Sequence, residues 1–162
     1  MTHPRAPSSA LETIQTKLAN GALDEAGALI DELLVDFASD PNLAYLSALR
    51  YRLTSNAAKA LQTLSDLTAR FPDMARAYQE IAVNCLSINL PQKALEAAEK
   101  AVALDGSLLA CWELLAPLHQ RFAPEKQEIS EQQIVFLKSL PQELRTVMSY
   151  LSQNQLNDAE RL

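Results

Sequence analysis

Apolar residues along this chain return every three or four positions, in short blocks separated by a few polar residues. That period lays one face of an α-helix against a core. It predicts helices at about 9–20, 24–37, 42–53, 57–71, 75–88, 91–104, 108–121, 125–139, 141–153 and from 156 onward. Local signals support several of these boundaries. Ser9-Ala10-Leu11-Glu12 has the form of a capping box, Gly106 stands where a helix would end, and Pro91, Pro124 and Pro141 suit first-turn positions.

Sliding the chain along itself by 34 residues brings Ala26, Ala60 and Ala94 into register, and with them Ala48, Ala82 and Ala116. Leu33, Leu67 and Ala101 form a third series, and Pro72 with Gly106 a fourth. Four series sharing one offset mark an internal repeat. Each period holds two helical blocks, so the unit is an antiparallel helix pair. The units fall at about 7–40, 41–74, 75–108 and 109–139, with a partial unit over 140–162, and together they are expected to form a single all-α domain. Where two helices cross closely, a side chain much larger than a methyl would hold their axes apart. Ala48 and Ala82 on first helices, and Ala60 and Ala94 on second helices, are the expected crossing points, with Leu61, Leu64, Leu67, Ile81, Leu95 and Leu104 filling the space around them.

The period, the helix pair and the order of small and large residues resemble the tetratricopeptide repeat (TPR). The clearest copy is "ARAYQEIAVNCLSINLPQKALEAAEKAVALDGSL", residues 75–108, where the pattern falls on Tyr78, Ile81, Ala82, Cys85, Ala94, Ala98, Ala101 and Gly106. Residues 41–74 match at Ala48, Tyr51, Ala60 and Pro72, with Ala44 and Ser47 standing where bulkier residues are usual. Residues 7–40 match at Ala26 and Leu33, with Ile14 at a normally small position. In the fourth unit Trp112, Leu115 and Ala116 match, and then "PEKQEISEQQIVFLKSL" puts polar residues where small ones are expected.

The resemblance implies a right-handed α-solenoid of antiparallel helix pairs, about four repeats plus a truncated fifth, with a concave face lined by the first helix of each pair. In that family the concave face is a groove that holds an extended peptide or a helix of another protein. The resemblance places Tyr45, Leu49 and Arg52, then Gln79, Val83 and Leu86, then Glu113, Pro117 and Gln120 along it. The function implied is a protein-interaction scaffold without catalysis in this segment. Family members that grip the C-terminal carboxylates of chaperones use convergent cationic and amide side chains. The matching positions here hold Leu11, Gln15, Leu46, Arg76 and Glu80, so that sub-function is disfavoured.

Composition removes several other classes. Apolar residues make up 48%, normal for a globular fold, but glycine is down to 3 residues of 162 while alanine and leucine dominate, which favours helix over tight β-turns. The net charge of −6, without a block of lysine or arginine, argues against nucleic acid as a partner. Neither a secretory leader in "MTHPRAPSSA" nor a run of about 18 apolar residues is visible, so the expectation is a cytoplasmic protein away from the membrane. Cys85 and Cys111 sit in apolar helical contexts and read as buried free thiols.

Candidate chemistry is sparse. Gly21, Gly27 and Gly106 are too scattered to cradle a phosphate. Cys111 and His119 are eight residues apart on one helix, about 12 Å along the axis, beyond the reach of a nucleophile and its base. No catalytic residue, metal ligand or cofactor is expected within the chain, and His119 reads as a solvent-exposed or helix-packing histidine. Asp24, Glu25, Asp31, Glu32 and Asp36 read as a solvated face of the second helix, and Pro117 as a tolerated bend in a first helix.

The final stretch supplies an alternative. "LKSLPQELRTVMSYLSQNQLNDAERL", residues 137–162, is similar to the N-terminal repeats of bacterial TPR-containing sulfotransferases. That likeness implies an N-terminal arm of a larger enzyme, whose domain using 3′-phosphoadenylyl sulfate would follow residue 162. Leu144, Val147, Leu151, Leu156, Asp158, Ala159 and Leu162 repeat Leu11, Ile14, Leu18, Leu23, Glu25, Ala26 and Leu29 at a shift of 133 rather than 136. Three residues are therefore expected to be missing near the "RFAPEK" turn, and "NDAERL" to fray as half of a fifth helix pair. An uncovered terminal repeat of this kind would also allow self-association.

Overall fold

Low glycine content and helical periodicity give helices throughout the computed structural model, which describes residues 3–159, with side chains described through residue 152. They are α1 (Ser8–Ala19), α2 (Leu23–Phe37), α3 (Pro41–Leu53), α4 (Ala57–Arg70), α5 (Ala75–Ser87), α6 (Pro91–Leu104), α7 (Leu109–Phe122), α8 (Gln127–Ser139) and α9 (Gln142–Ala159). A 3-10 turn, Pro124–Lys126, precedes α8. Two compact units divide the chain, one ending at Pro72 and the other beginning at Asp73. The expected all-α repeat of helix pairs is what forms.

The 34-residue period is written into the backbone as well as the side chains. Gly21, Ser55 and Asn89 have φ of 77°, 59° and 60°, and each closes the first helix of a pair. At all three the next residue's N–H reaches the carbonyl five residues back: Ala22 to Lys17, Asn56 to Tyr51 and Leu90 to Cys85, at 2.8–2.9 Å. With the bonds from Gly21 to Leu18, Ser55 to Arg52 and Asn89 to Leu86, this is a Schellman turn made three times. It reverses the chain within a few residues and lays the second helix back along the first.

In the first unit the packed centre holds Ile14 and Leu18 of α1, Ala26 and Ile30 of α2, and Leu43 and Leu46 of α3. The recurring alanines behave as close crossings require. Ala26, Ala48, Ala60, Ala82 and Ala94 are all 0% exposed. Two aspartates fasten the joints. Asp40 caps α3 by accepting from Asn42 N and Leu43 N, and its other oxygen accepts from Ala6 N at 2.7 Å. Asp105 accepts from Ser107 N at 3.0 Å and from Ser149 Oγ at 2.5 Å, tying α9 to the turn after α6.

Four local expectations are corrected. The helix starts at Ser8, launched by Pro7 at φ −57°, ψ 134°, so Ser9 lies inside the first turn and no side-chain cap forms. Gly106 does not close α6; Asp105 ends it in an extended conformation, and its carboxylate holds the turn through Ser107. The fourth unit is not shortened at "RFAPEK". Ser130 and Leu137, both 0% exposed, take the places of Ala94 and Ala101, a step of 36 instead of 34. The extra two residues form the 3-10 turn, and Ala123 has φ −147° where the regular turn would have a positive value. The net loss therefore falls between α8 and α9, joined by Leu140 and Pro141 alone.

The last correction concerns the expected break near 154–156. α9 runs unbroken from Gln142 to Ala159. Reversal in the regular pairs needs a residue at positive φ, and among the described residues only Gly21, Ser55 and Asn89 have one. The expected fraying of "NDAERL" falls on residues 157–162, whose side chains, and from 160 onward whose backbone, lie outside the described residues.

Candidate functional site

The residues expected along a groove lie on first helices in both units. On α5, Gln79, Val83 and Leu86 follow a 4, 3 spacing and share one face; Gln79 and Val83 are half-buried and Leu86 is 39% exposed. On α7, Glu113, Pro117 and Gln120 repeat that spacing and are all exposed. Glu113 is engaged by Lys138 Nζ of α8 at 2.8 Å. α7 continues through Pro117, whose missing N–H leaves the Glu113 carbonyl without its helical donor. In the first unit Tyr45, Leu49 and Arg52 of α3 are half-buried, and Tyr45 and Leu49 pack on the Ile14–Leu43 cluster. Of the positions matching a carboxylate clamp, Leu46 and Glu80 are buried while Arg76 is exposed. The acidic set on α2 is exposed throughout, as a solvated face requires.

Polar chemistry gathers elsewhere in the second unit, at a place the sequence did not reveal. His119 of α7 is 4% exposed, its Nδ1 2.5 Å from Ser130 Oγ of α8 and its Nε2 3.1 Å from Glu99 Oε1 of α6. Lys126 Nζ, in the 3-10 turn, donates to the same Glu99 oxygen at 2.6 Å. Glu99 only accepts, so a neutral ring carries its proton on Nε2 and takes the Ser130 hydroxyl proton at Nδ1. Partial burial works to raise the Glu99 pKa, but the bonds from Lys126 and His119 outweigh it and hold the carboxyl below its ordinary range. The bond from Glu99 raises Lys126 in turn.

Serine, histidine and glutamate are the residue types of an acyl-transfer relay. Ser130 is 0% exposed, however, and offers no surface to a substrate. The cluster is a packing node that joins three helices. Ser130 occupies the crossing point held by alanine in the other pairs, and its hydroxyl is satisfied by His119. Thiol chemistry is equally remote: burial pushes Cys111 up to about 12, and burial raises Cys85 against the opposing pull of Lys93. Among the described residues, no group of three or more His, Cys, Asp or Glu could hold a metal ion, and no helix is long and apolar enough to cross a membrane.

No protein-family model matches the chain, and no curated protein matches it. Solved structures do. "MamA 41-end" from Desulfovibrio magneticus RS-1 superposes with a TM-score of 0.64 at 19% identity, over 83% of this chain and 75% of that one. The chain shares its fold with MamA. A double mutant of MamA from RS-1 gives a TM-score of 0.67 at 18% identity, covering 80% of this chain and 73% of that one. Another MamA crystal structure covers 92% of this chain and 79% of its own, with a TM-score of 0.63 at 13% identity. At such identities the likeness to MamA carries the architecture, and the chemistry must come from this chain's own side chains.

The node could have been found only in part from sequence. The polar run in α8 was visible as a departure from the small-residue pattern. Ser130 as the buried member was hidden by the two-residue shift of register, and without it His119 had no visible partner.

Proposed function

We propose that the chain is a protein-interaction scaffold that holds a peptide or a partner domain against the faces of its first helices. What carries this reading is the recurrence, on α5 and α7, of three partly or fully exposed residues at the same 4, 3 spacing: Gln79, Val83 and Leu86, then Glu113, Pro117 and Gln120. Polar ends, Gln79 on α5 and Glu113 and Gln120 on α7, beside the apolar Val83, Leu86 and Pro117 suit an extended segment, whose backbone needs donors and acceptors and whose side chains need apolar footholds. In the first unit Tyr45, Leu49 and Arg52 form the corresponding set, with less of their surface free. The negative net charge favours protein over nucleic acid as the partner. Two buried free thiols fit a reducing, cytoplasmic setting.

The test is recovery of partners on immobilised chain, quantified by mass spectrometry. Gln79→Ala/Leu86→Ala is expected to lose the specific partners while leaving helicity unchanged. A control on the exposed face of α2, Asp31→Ala/Glu32→Ala, is expected to keep them. Equal recovery by all three proteins would remove the first-helix faces from consideration.

A further inference from the structure

At a constant shift of 133 residues, α9 reads as α1. Leu144, Val147 and Leu151 stand at the places of Leu11, Ile14 and Leu18, and Thr146 at that of Thr13. Local structure follows suit, since Thr13 Oγ1 donates to Ser9 O and Thr146 Oγ1 to Gln142 O, the carbonyl one turn earlier in both helices. Their surroundings differ. Ile14 and Leu18 are 0% and 8% exposed, clustered with Ala26 and Ile30 of α2 and with Leu43 and Leu46 of α3. Val147 and Leu151 are 51% and 52% exposed.

We propose that the Leu144–Val147–Leu151 face of α9 is a docking site for an amphipathic partner helix of the α2 type, distinct from the first-helix faces described above. The chain itself shows what such a face takes. Toward the Ile14–Leu18 cluster it turns a small residue, Ala26, followed one turn later by Ile30, both buried, while Gly27 faces the Arg50 side chain of α3. A helix with that order, lying antiparallel to α9, fills the space between the three aliphatic side chains in the same way.

One position sets the partner apart from α2. Lys17 of α1 pairs with Glu25 of α2, and at the place of Lys17 α9 carries Tyr150, 66% exposed. A carboxylate there would lose its counter-charge against a phenol ring. The partner therefore presents an apolar residue where α2 has Glu25, gaining ring contact instead.

The probe is a synthetic peptide of residues 21–38 carrying Glu25→Leu, titrated into the full ¹⁵N-labelled chain. The expected result is saturable shifts of the backbone amides of 143–152, with binding weakened about tenfold or more by Val147→Asp, which sets a charge in the apolar contact. Val147 is half-exposed, so this variant keeps the helicity of the parent by circular dichroism. The same peptide with native Glu25 is expected to bind more weakly than the Leu version. Unmoved α9 amides, or affinity indifferent to Val147→Asp, overturn the proposal. So do shifts confined to α1–α3, which would mean displacement of α2. Broadening of α9 signals with protein concentration alone overturns it as well, by seating a second copy on the face.

Discussion

Ser130→Ala isolates the buried node. Alanine fills the equivalent crossing points at Ala26, Ala60 and Ala94 with 0% exposure, so the substitution leaves packing almost intact and removes one hydroxyl. What it strands is His119 Nδ1, on a ring only 4% exposed and held 2.5 Å from that hydroxyl. Leaving a buried polar atom without its partner costs ~1–3 kcal/mol. With a urea dependence of ~2 kcal/mol per molar, the unfolding midpoint falls by roughly 0.5–1.5 M. Trp112, the single tryptophan, lies on α7 with its indole N–H bonded to Gly106 O, so its fluorescence reports on the second unit. The companion variant Ser130→Ala/His119→Leu removes both polar partners and leaves Glu99 its bond to Lys126. It is expected to cost less than the sum of the two single variants, with a coupling of about 1–2 kcal/mol. A Ser130→Ala midpoint indistinguishable from the parent, or strict additivity in the double variant, would refute the node as a source of stability.

The turns and the ionised members of the node yield further tests. Ser55 holds φ 59° without the freedom of glycine, so Ser55→Gly is expected to stabilise the first unit by ~0.5–1 kcal/mol, after the greater unfolded freedom of glycine offsets part of the ~1–2 kcal/mol relieved. Gly21→Ala meets nothing within 4 Å but must keep φ 77°, and is expected to lose about 1 kcal/mol; thermal midpoints in either order but this one would contradict the backbone account. Because the folded pKa of Glu99 is depressed, its contribution is present above the ordinary carboxylate range and is lost as pH falls through the folded value. Urea midpoints read through Trp112 between pH 6 and 3 should therefore fall less steeply in Glu99→Gln than in the parent. Lys126 is raised, so its contribution holds below the ordinary lysine value and fades only at more alkaline pH; Lys126→Met should remove that alkaline loss.

Sequence alone determined α1 to α8 and their pairing, because periodicity records which face of each segment avoids water, and a 34-residue offset repeats that record through three units and the first helix of a fourth. It also located the small residues at the crossings, where size alone decides whether two helices can approach. Tertiary structure decided what depends on register and on distant partners. Ser130 reached the crossing of the fourth pair only through two extra residues in a 3-10 turn, and His119, read from sequence as exposed or packing, became the buried partner of its hydroxyl. α9 continued past the expected reversal because helix continuation needs only local hydrogen bonds, whereas reversal needs either a residue at positive φ, as in the first three pairs, or a break such as the 3-10 turn before α8. The residues expected along a groove were legible as positions on first helices. How much of each remained open could not be read in advance, since the burial of Tyr45 and Leu49 is set by side chains of α1 and α2 that are remote in sequence and adjacent in the fold.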